Sequence, residues 1–189
     1  EQPQLGNPPN YRRLKELGKE GVKCLILESL YADYDIETPS EEDVKNEMLD
    51  IFLKLDTTNK TIITSTFSSH IVRLKTLVNT GQKLGRKVCL LGRSLNTHSS
   101  LAHELNITDL KSGTMIVSRF EEINNLLENV YADRDKYFLI CTGHQGEEFS
   151  VLSRILDNRF DFSFSKDDIM LFSSSVIPTE SNQASFFKE

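Results

Sequence analysis

Lys136-Tyr137-Phe138-Leu139-Ile140-Cys141-Thr142-Gly143-His144-Gln145-Gly146-Glu147-Glu148 is the stretch whose reading decides the fold. Its first half, Tyr137 to Cys141, is short, apolar and aromatic, the composition of a buried strand. It breaks into a polar loop with two glycines, and a helical pattern follows from Glu148 to Leu156. Strand, loop and helix in that order make half of a βαβ unit. The same punctuation recurs along the chain. Residues 22–27 run apolar into Glu28-Ser29, and residues 61–63 run into Thr64-Ser65-Thr66-Phe67-Ser68-Ser69. Residues 88–91 end in Gly92-Arg93-Ser94, and residues 169–172 end in Ser173-Ser174-Ser175. Apolar runs that all discharge into hydroxyls or glycine share one edge when they lie in an open parallel sheet, and ligands bind at that edge.

The totals bound the reading further. A chain of 189 residues suits one α/β domain spanning 1–189. A net charge of −6 excludes a surface coated with cations for non-specific nucleic-acid binding, but leaves room for a local basic groove. The cysteines, Cys24, Cys89 and Cys141, fall inside expected strands, which points to buried free thiols in a reducing compartment. No apolar run reaches transmembrane length and no signal-peptide pattern opens the chain, so the expectation is a cytoplasmic protein with no membrane partner. The opening Glu1-Gln2-Pro3-Gln4 reads as the interior of a longer protein.

Between the strands the pattern is helical. After a short helix over residues 11–17, Ser40 with Asp43 forms a capping box for a helix to Leu55, whose inward face is Val44, Met48, Ile51, Phe52 and Leu55. Ser68 and Ser69 are the expected cap of a helix through Leu84. A further helix is expected near residues 99–105, an edge strand at 115–117, and a helix from Arg119 capped by Ser118. Residues 160–164 and 169–172 read as a last pair of strands, and residues 180–189 open another helix. Alternating β and α predicts a three-layer α/β fold with a mostly parallel, doubly wound, Rossmann-like sheet.

Several chemistries lack a sequence signal. His70, His98, His103 and His144 show no zinc-ligand spacing. There is no Gly-x-Gly-x-x-Gly, no Walker loop and no Gly-x-Ser-x-Gly elbow, so dinucleotide, P-loop and serine-hydrolase sites are unsupported. What remains is the rim. Ser68, Ser69 and the loop from Thr142 to Gly146 offer hydroxyls and backbone N–H groups at helix starts, a way to hold phosphate. Arg73 and Arg93 are placed to pair with it. Phe67 offers a ring for stacking on a base. Glu28 is a carboxylate closing an apolar run, the place for a positioned catalytic acid. The plainer reading makes the serines and threonines ordinary caps and Phe67 a core residue.

Pro9-Asn10-Tyr11, Leu14-Lys15-Glu16-Leu17-Gly18, Gly21-Val22 and Leu27-Glu28-Ser29 combine with the rim stretches into a longer pattern. Thr64 to Ser69 with Arg73-Leu74, Gly85-Arg86-Lys87-Val88, Gly92-Arg93-Ser94, Thr142 to Glu147 and Ser173 to Pro178 continue it. In order and spacing these resemble the β-CASP domain of the metallo-β-lactamase ribonucleases, in particular the archaeal form of the ribonuclease J family. The resemblance covers nearly the whole chain. It implies an RNA-clamping domain of a zinc-dependent phosphodiesterase that degrades RNA 5′→3′, with internal cleavage as a second mode. It implies that Glu28 is the family's catalytic acidic residue. The RNA and phosphate contacts it implies are Phe67, Ser68, Ser69, Arg73, Arg93, Ser94, Thr142, Gly143, His144, Gln145, Gly146 and Ser174. The family's two zinc ions are held by a metallo-β-lactamase domain, so the resemblance implies no metal site here, that domain and single-stranded RNA as partners, and no activity from this piece alone. A stand-alone nucleotide- or flavin-binding domain, and a scaffold or homodimer using the same rim, are the alternatives.

Overall fold

The computed structural model describes residues 3–29 and 32–174. Five strands form one sheet: β1 (Ile62–Ser65), β2 (Lys87–Leu91), β3 (Thr114–Val117), β4 (Tyr137–Cys141) and β5 (Ile169–Phe172). Their order is β3-β2-β4-β1-β5 and every pairing is parallel. The helices are α1 (Tyr11–Glu20), α2 (Glu41–Lys54), α3 (Ile71–Lys83), α4 (Arg93–Glu104), α5 (Phe120–Ala132) and α6 (Val151–Leu156).

Side chains alternate across a strand, so one sheet serves two cores. Ile62, Val88, Leu90, Phe138 and Ile140 pack with Met48 and Phe52 of α2, Leu74 and Leu77 of α3 and Leu95 of α4. Ile63, Cys89, Leu91, Leu139 and Cys141 pack with Ile123 and Leu127 of α5 and Leu152 and Ile155 of α6. Helices thus cover both faces, which is the three-layer α/β arrangement the alternation predicts. Burial pushes the thiols of Cys89 and Cys141 up to about 12, so both are inert packing groups. The Ser40–Asp43 capping box is present as read, with the Ser40 N–H donating to the Asp43 carboxylate at 2.9 Å.

Other expectations are corrected. Residues 22–27 form no strand; they are irregular and exposed, Ile26 to 90%. A strand needs a paired edge for its backbone groups, and neither β3 nor β5 offers its outer edge to this run. Cys24 is therefore exposed. Residues 160–164 also stay outside the sheet. The Asp161 N–H donates to the Asn124 side chain of α5 at 2.8 Å, while Phe160 stacks on Phe120 at 4.8 Å. A side chain replaces the strand partner, and the alternating phenylalanines fill the core instead of lining a pleat. The cap of α3 is His70, whose side chain makes no capping bond, not Ser68 or Ser69. Helix α4 starts at Arg93, directly after β2. The stretch from Ser175 to Pro178 and the helix expected over 180–189 lie outside the described residues.

Candidate functional site

In this strand order the chain runs from β1 to β2 to β3 in one direction and returns through β4 to β5 in the other. The helices after β2 and β4 consequently leave on opposite faces, and their loops part at the C-terminal edge. Open α/β sheets bind ligands in such a crevice.

Gly92 forms one wall. Its φ of +125° is open to glycine alone, and its N–H donates to the Val117 carbonyl at 2.9 Å. That kink starts α4 with no side-chain cap among the described residues, so its first-turn N–H groups lie at the positive end of the helix without one. Arg93 and Ser94 stand exposed beside them. Thr142 and Gly143 form the other wall. Gly143 has φ +129°, and a Cβ there would meet Ser150 Oγ at 2.4 Å and Leu152 Cβ at 2.8 Å. The loop can pass so close to α6 only because this residue has no side chain. Between the walls lies a hollow of about 420 Å³ lined by Arg93, Ser94, Thr97, Ser118, Thr142 and Arg154, with no carboxylate in its lining. Among the described residues, the guanidinium groups of Arg93 and Arg154 have no ion pair. Two cations without an ion pair, five hydroxyls with that of Ser150, and an uncapped helix start make a site suited to an anion.

The β4 loop also turns toward β1. His144 is 1% exposed, its Nδ1 lies 3.4 Å from Ser65 Oγ, and its buried Nε2 has no partner among the described residues. Burial lowers its pKa, with Glu147 opposing, so the ring is neutral at pH 7. Phe67 meets that ring edge-on at 4.4 Å and is half-buried, so it covers His144 and is not a free stacking platform. Ser68 Oγ lies 3.1 Å from His98 Nδ1, and Ser69 is exposed. Within the loop, the Gly146 N–H donates to the Gly143 carbonyl at 3.0 Å and the Gln145 N–H to Glu147 at 3.0 Å.

Arg73 is placed differently from the other rim cations. Its Nε and Nη2 donate to the Glu41 carboxylate at 2.9 and 2.6 Å, and its Nη1 donates to the Ser173 carbonyl at 2.7 Å. The pair ties α2 to α3 and to the end of β5. Burial raises the Glu41 pKa, but the Arg73 hydrogen bonds and charge outweigh it and hold the carboxyl below its ordinary value. Arg73→Met is expected to cost about 2 kcal/mol of folding stability, which urea unfolding will read. A depressed carboxyl pKa contributes stability that is present above the ordinary value and lost as pH falls through the depressed one, so the stability gap between the parent chain and the Arg73→Met variant shrinks in acid. Ser174 lies beside Arg73, lining a hollow next to β5, away from the crevice between β2 and β4. Glu28 lies on the exposed, irregular stretch before α2 and not on a strand end of the sheet. Of the expected residues, the structure gathers Arg93, Ser94 and Thr142 in one hollow and packs Phe67 with His144 beside it. Sequence reasoning misses Ser118 and Arg154: Ser118 reads only as a cap, and Arg154 follows the loop by a full helical turn. Among the described residues no set of three His, Cys, Asp or Glu side chains converges to hold a metal. No described helix is long and apolar enough to cross a membrane.

Residues 59–187 match the model of the ribonuclease J β-CASP domain. The chain is 36% identical over 183 residues to ribonuclease J of Methanocaldococcus jannaschii, covering 96% of this chain and 41% of that protein. It is 38% identical over 179 residues to ribonuclease J of Pyrococcus abyssi, covering 95% and 39%. Ribonuclease J 1 of Streptococcus pyogenes is 32% identical over 175 residues, covering 92% and 29%. The chain thus spans about two fifths of the length of these archaeal relatives.

Proposed function

The chain belongs to the ribonuclease J β-CASP family, and from that premise we propose that it is the RNA-clamping part of a larger zinc-dependent ribonuclease. The observation that carries this is the acid-free hollow at the crevice between β2 and β4, with Arg93, Arg154 and the uncapped start of α4 around it. It takes a phosphate of single-stranded RNA, while the β4 loop from Thr142 to Gly146 shapes the path past it. Ser68, Ser69 and Ser174 border the same edge as secondary polar contacts.

In the complete protein this surface forms one wall of an RNA channel and a metallo-β-lactamase domain forms the other. That second domain supplies the two zinc ions, which activate water for attack on phosphate, and cleavage proceeds 5′→3′ with internal cuts as a second mode. Glu28 acts outside the sheet, orienting a proton donor for the leaving oxygen. The piece described here binds and positions RNA, is cytoplasmic, and cleaves nothing alone.

Binding of a short 5′-phosphorylated single-stranded RNA, titrated from low to high salt, tests this reading. Counterion release makes log affinity fall linearly with log salt, by about 0.7 per phosphate neutralised on a single strand. Arg93→Ala is expected to weaken binding about tenfold and to remove about 0.7 from that slope. A chain that binds no RNA, or binds it with the same slope after Arg93→Ala, refutes the phosphate site.

A further inference from the structure

The anion-binding hollow is one of two that adjoin. The second, of about 470 Å³, lies on the α6 side and is lined by Phe120, Glu148, Phe149, Arg154, Asp157 and Arg159. Phe120, Phe149 and Arg154 line both. The two differ in charge. The first has arginines and no acid in its lining. The second balances two arginines against two carboxylates, so phosphate gains no net attraction there. Its apolar part is aromatic: Phe149 is 74% exposed, and Phe120 lies against the buried Phe160 with its ring plane inclined by 20°. A phenylalanine held out into solvent at a helix start, beside a second ring fixed from behind, has no role in either core.

We infer that this second hollow is a nucleobase subsite, which takes the base attached to the phosphate held at Arg93. The inference rests on the RNA-binding reading above and adds where the base goes and what recognises it. The base stacks on Phe149 and borders Phe120. Arg154 stands between the two hollows, placed to reach the phosphate while its planar guanidinium borders the base. Glu148 and Asp157 are acceptors only, so they accept from exocyclic amino and ring N–H groups and have nothing to offer a carbonyl edge. Guanine and adenine present both a wide stacking face and an exocyclic amino donor, whereas uracil presents a smaller ring, two carbonyls and one ring N–H. The subsite therefore favours a purine over uridine at that one nucleotide.

The sequence contains no tryptophan, so Phe149→Trp installs a single fluorescent reporter in the proposed stack. Phe149→Ala is expected to weaken binding of a 5′-phosphorylated oligoadenylate about tenfold while leaving the salt slope unchanged, because no phosphate contact is lost. Phe149→Trp should keep the wild-type affinity, and its emission should be quenched by oligoadenylate more than by oligouridylate and not at all by inorganic phosphate. Unaltered affinity in Phe149→Ala, or a tryptophan that RNA binding leaves unquenched, overturns the base subsite while the phosphate site stands. A change in the salt slope on Phe149→Ala also overturns it, since the residue would then act on the phosphate path. If the unaltered chain binds no RNA, the RNA reading and this subsite fall together.

Discussion

Phe138→Ala is expected to destabilise the chain by about 3–5 kcal/mol, read as a shift of the urea midpoint without a change of slope. Phe138 sits on the central strand β4, is 0% exposed, and meets Phe52 of α2 edge-on at 5.6 Å. Its removal empties the space where α2, α3 and the sheet converge. One neighbour makes the test sharper. Gly81 of α3 lies so close to the sheet that a Cβ there would come within 2.9 Å of Phe138 Cγ and 2.7 Å of Val88 Cγ2. In the unaltered chain Gly81→Ala overpacks this contact, at a cost of about 1–3 kcal/mol, partly offset by the better helix propensity of alanine, about 1 kcal/mol. In the Phe138→Ala background the clash with the ring is gone, while the contacts with Val88 Cγ2 and with the Cβ of residue 138, at 3.1 Å, remain. The double variant should therefore be more stable than the sum of the two single changes predicts, by about 1 kcal/mol. Additive losses would mean that Phe138 and Gly81 do not share a packing site.

How far this fold was legible follows from what each signal depends on. The run Tyr137–Cys141 is buried on both faces and sits mid-sheet, so its apolar composition alone marks it as a strand. The alternation of such runs with helical patterns then gives the parallel sheet. Residues 22–27 carry the same composition and form no strand, because composition reports that a run needs covering and says nothing of which surface covers it. Residues 160–164 failed for a related reason: Asn124, far away in sequence, satisfies a backbone group that a strand partner would have taken. In the candidate site, Arg93 and Thr142 were legible because they directly follow strands. Arg73 also looked free, and only the folded chain brings Glu41 and the Ser173 carbonyl onto its guanidinium. Arg154 and Phe149 escaped because the signals followed along the chain were loops at strand ends. These residues reach the crevice from α6 and its approach.

Glu28→Gln in the full-length ribonuclease is expected to lower single-turnover RNA cleavage by about 10–100-fold if the carboxylate only orients another group, and by ~10²–10⁴-fold if proton donation to the leaving oxygen is lost with it. The location of Glu28 makes the result interpretable. It is exposed on an irregular stretch outside both cores, and urea unfolding of the same preparation reads any effect on the fold. A large loss of turnover with an unchanged urea midpoint then cannot be a loss of fold. The run before it, with Leu25 and Ile26 in the open, is the kind of apolar surface that marks a contact with another domain. Glu28 follows it directly, so a domain seated on this run would come to lie beside its carboxylate. It is not among the residues lining the phosphate hollow, so RNA affinity should stay within about twofold of the parent. The pH profile separates the two roles: loss of a positioned acid removes the limb that the acid controls, whereas loss of a merely structural carboxylate lowers the whole profile evenly. Zinc content measured on the same preparation completes the test. Full activity would reduce Glu28 to a surface acid, and a parallel loss of zinc would make it a support of the metal site instead of a positioning residue.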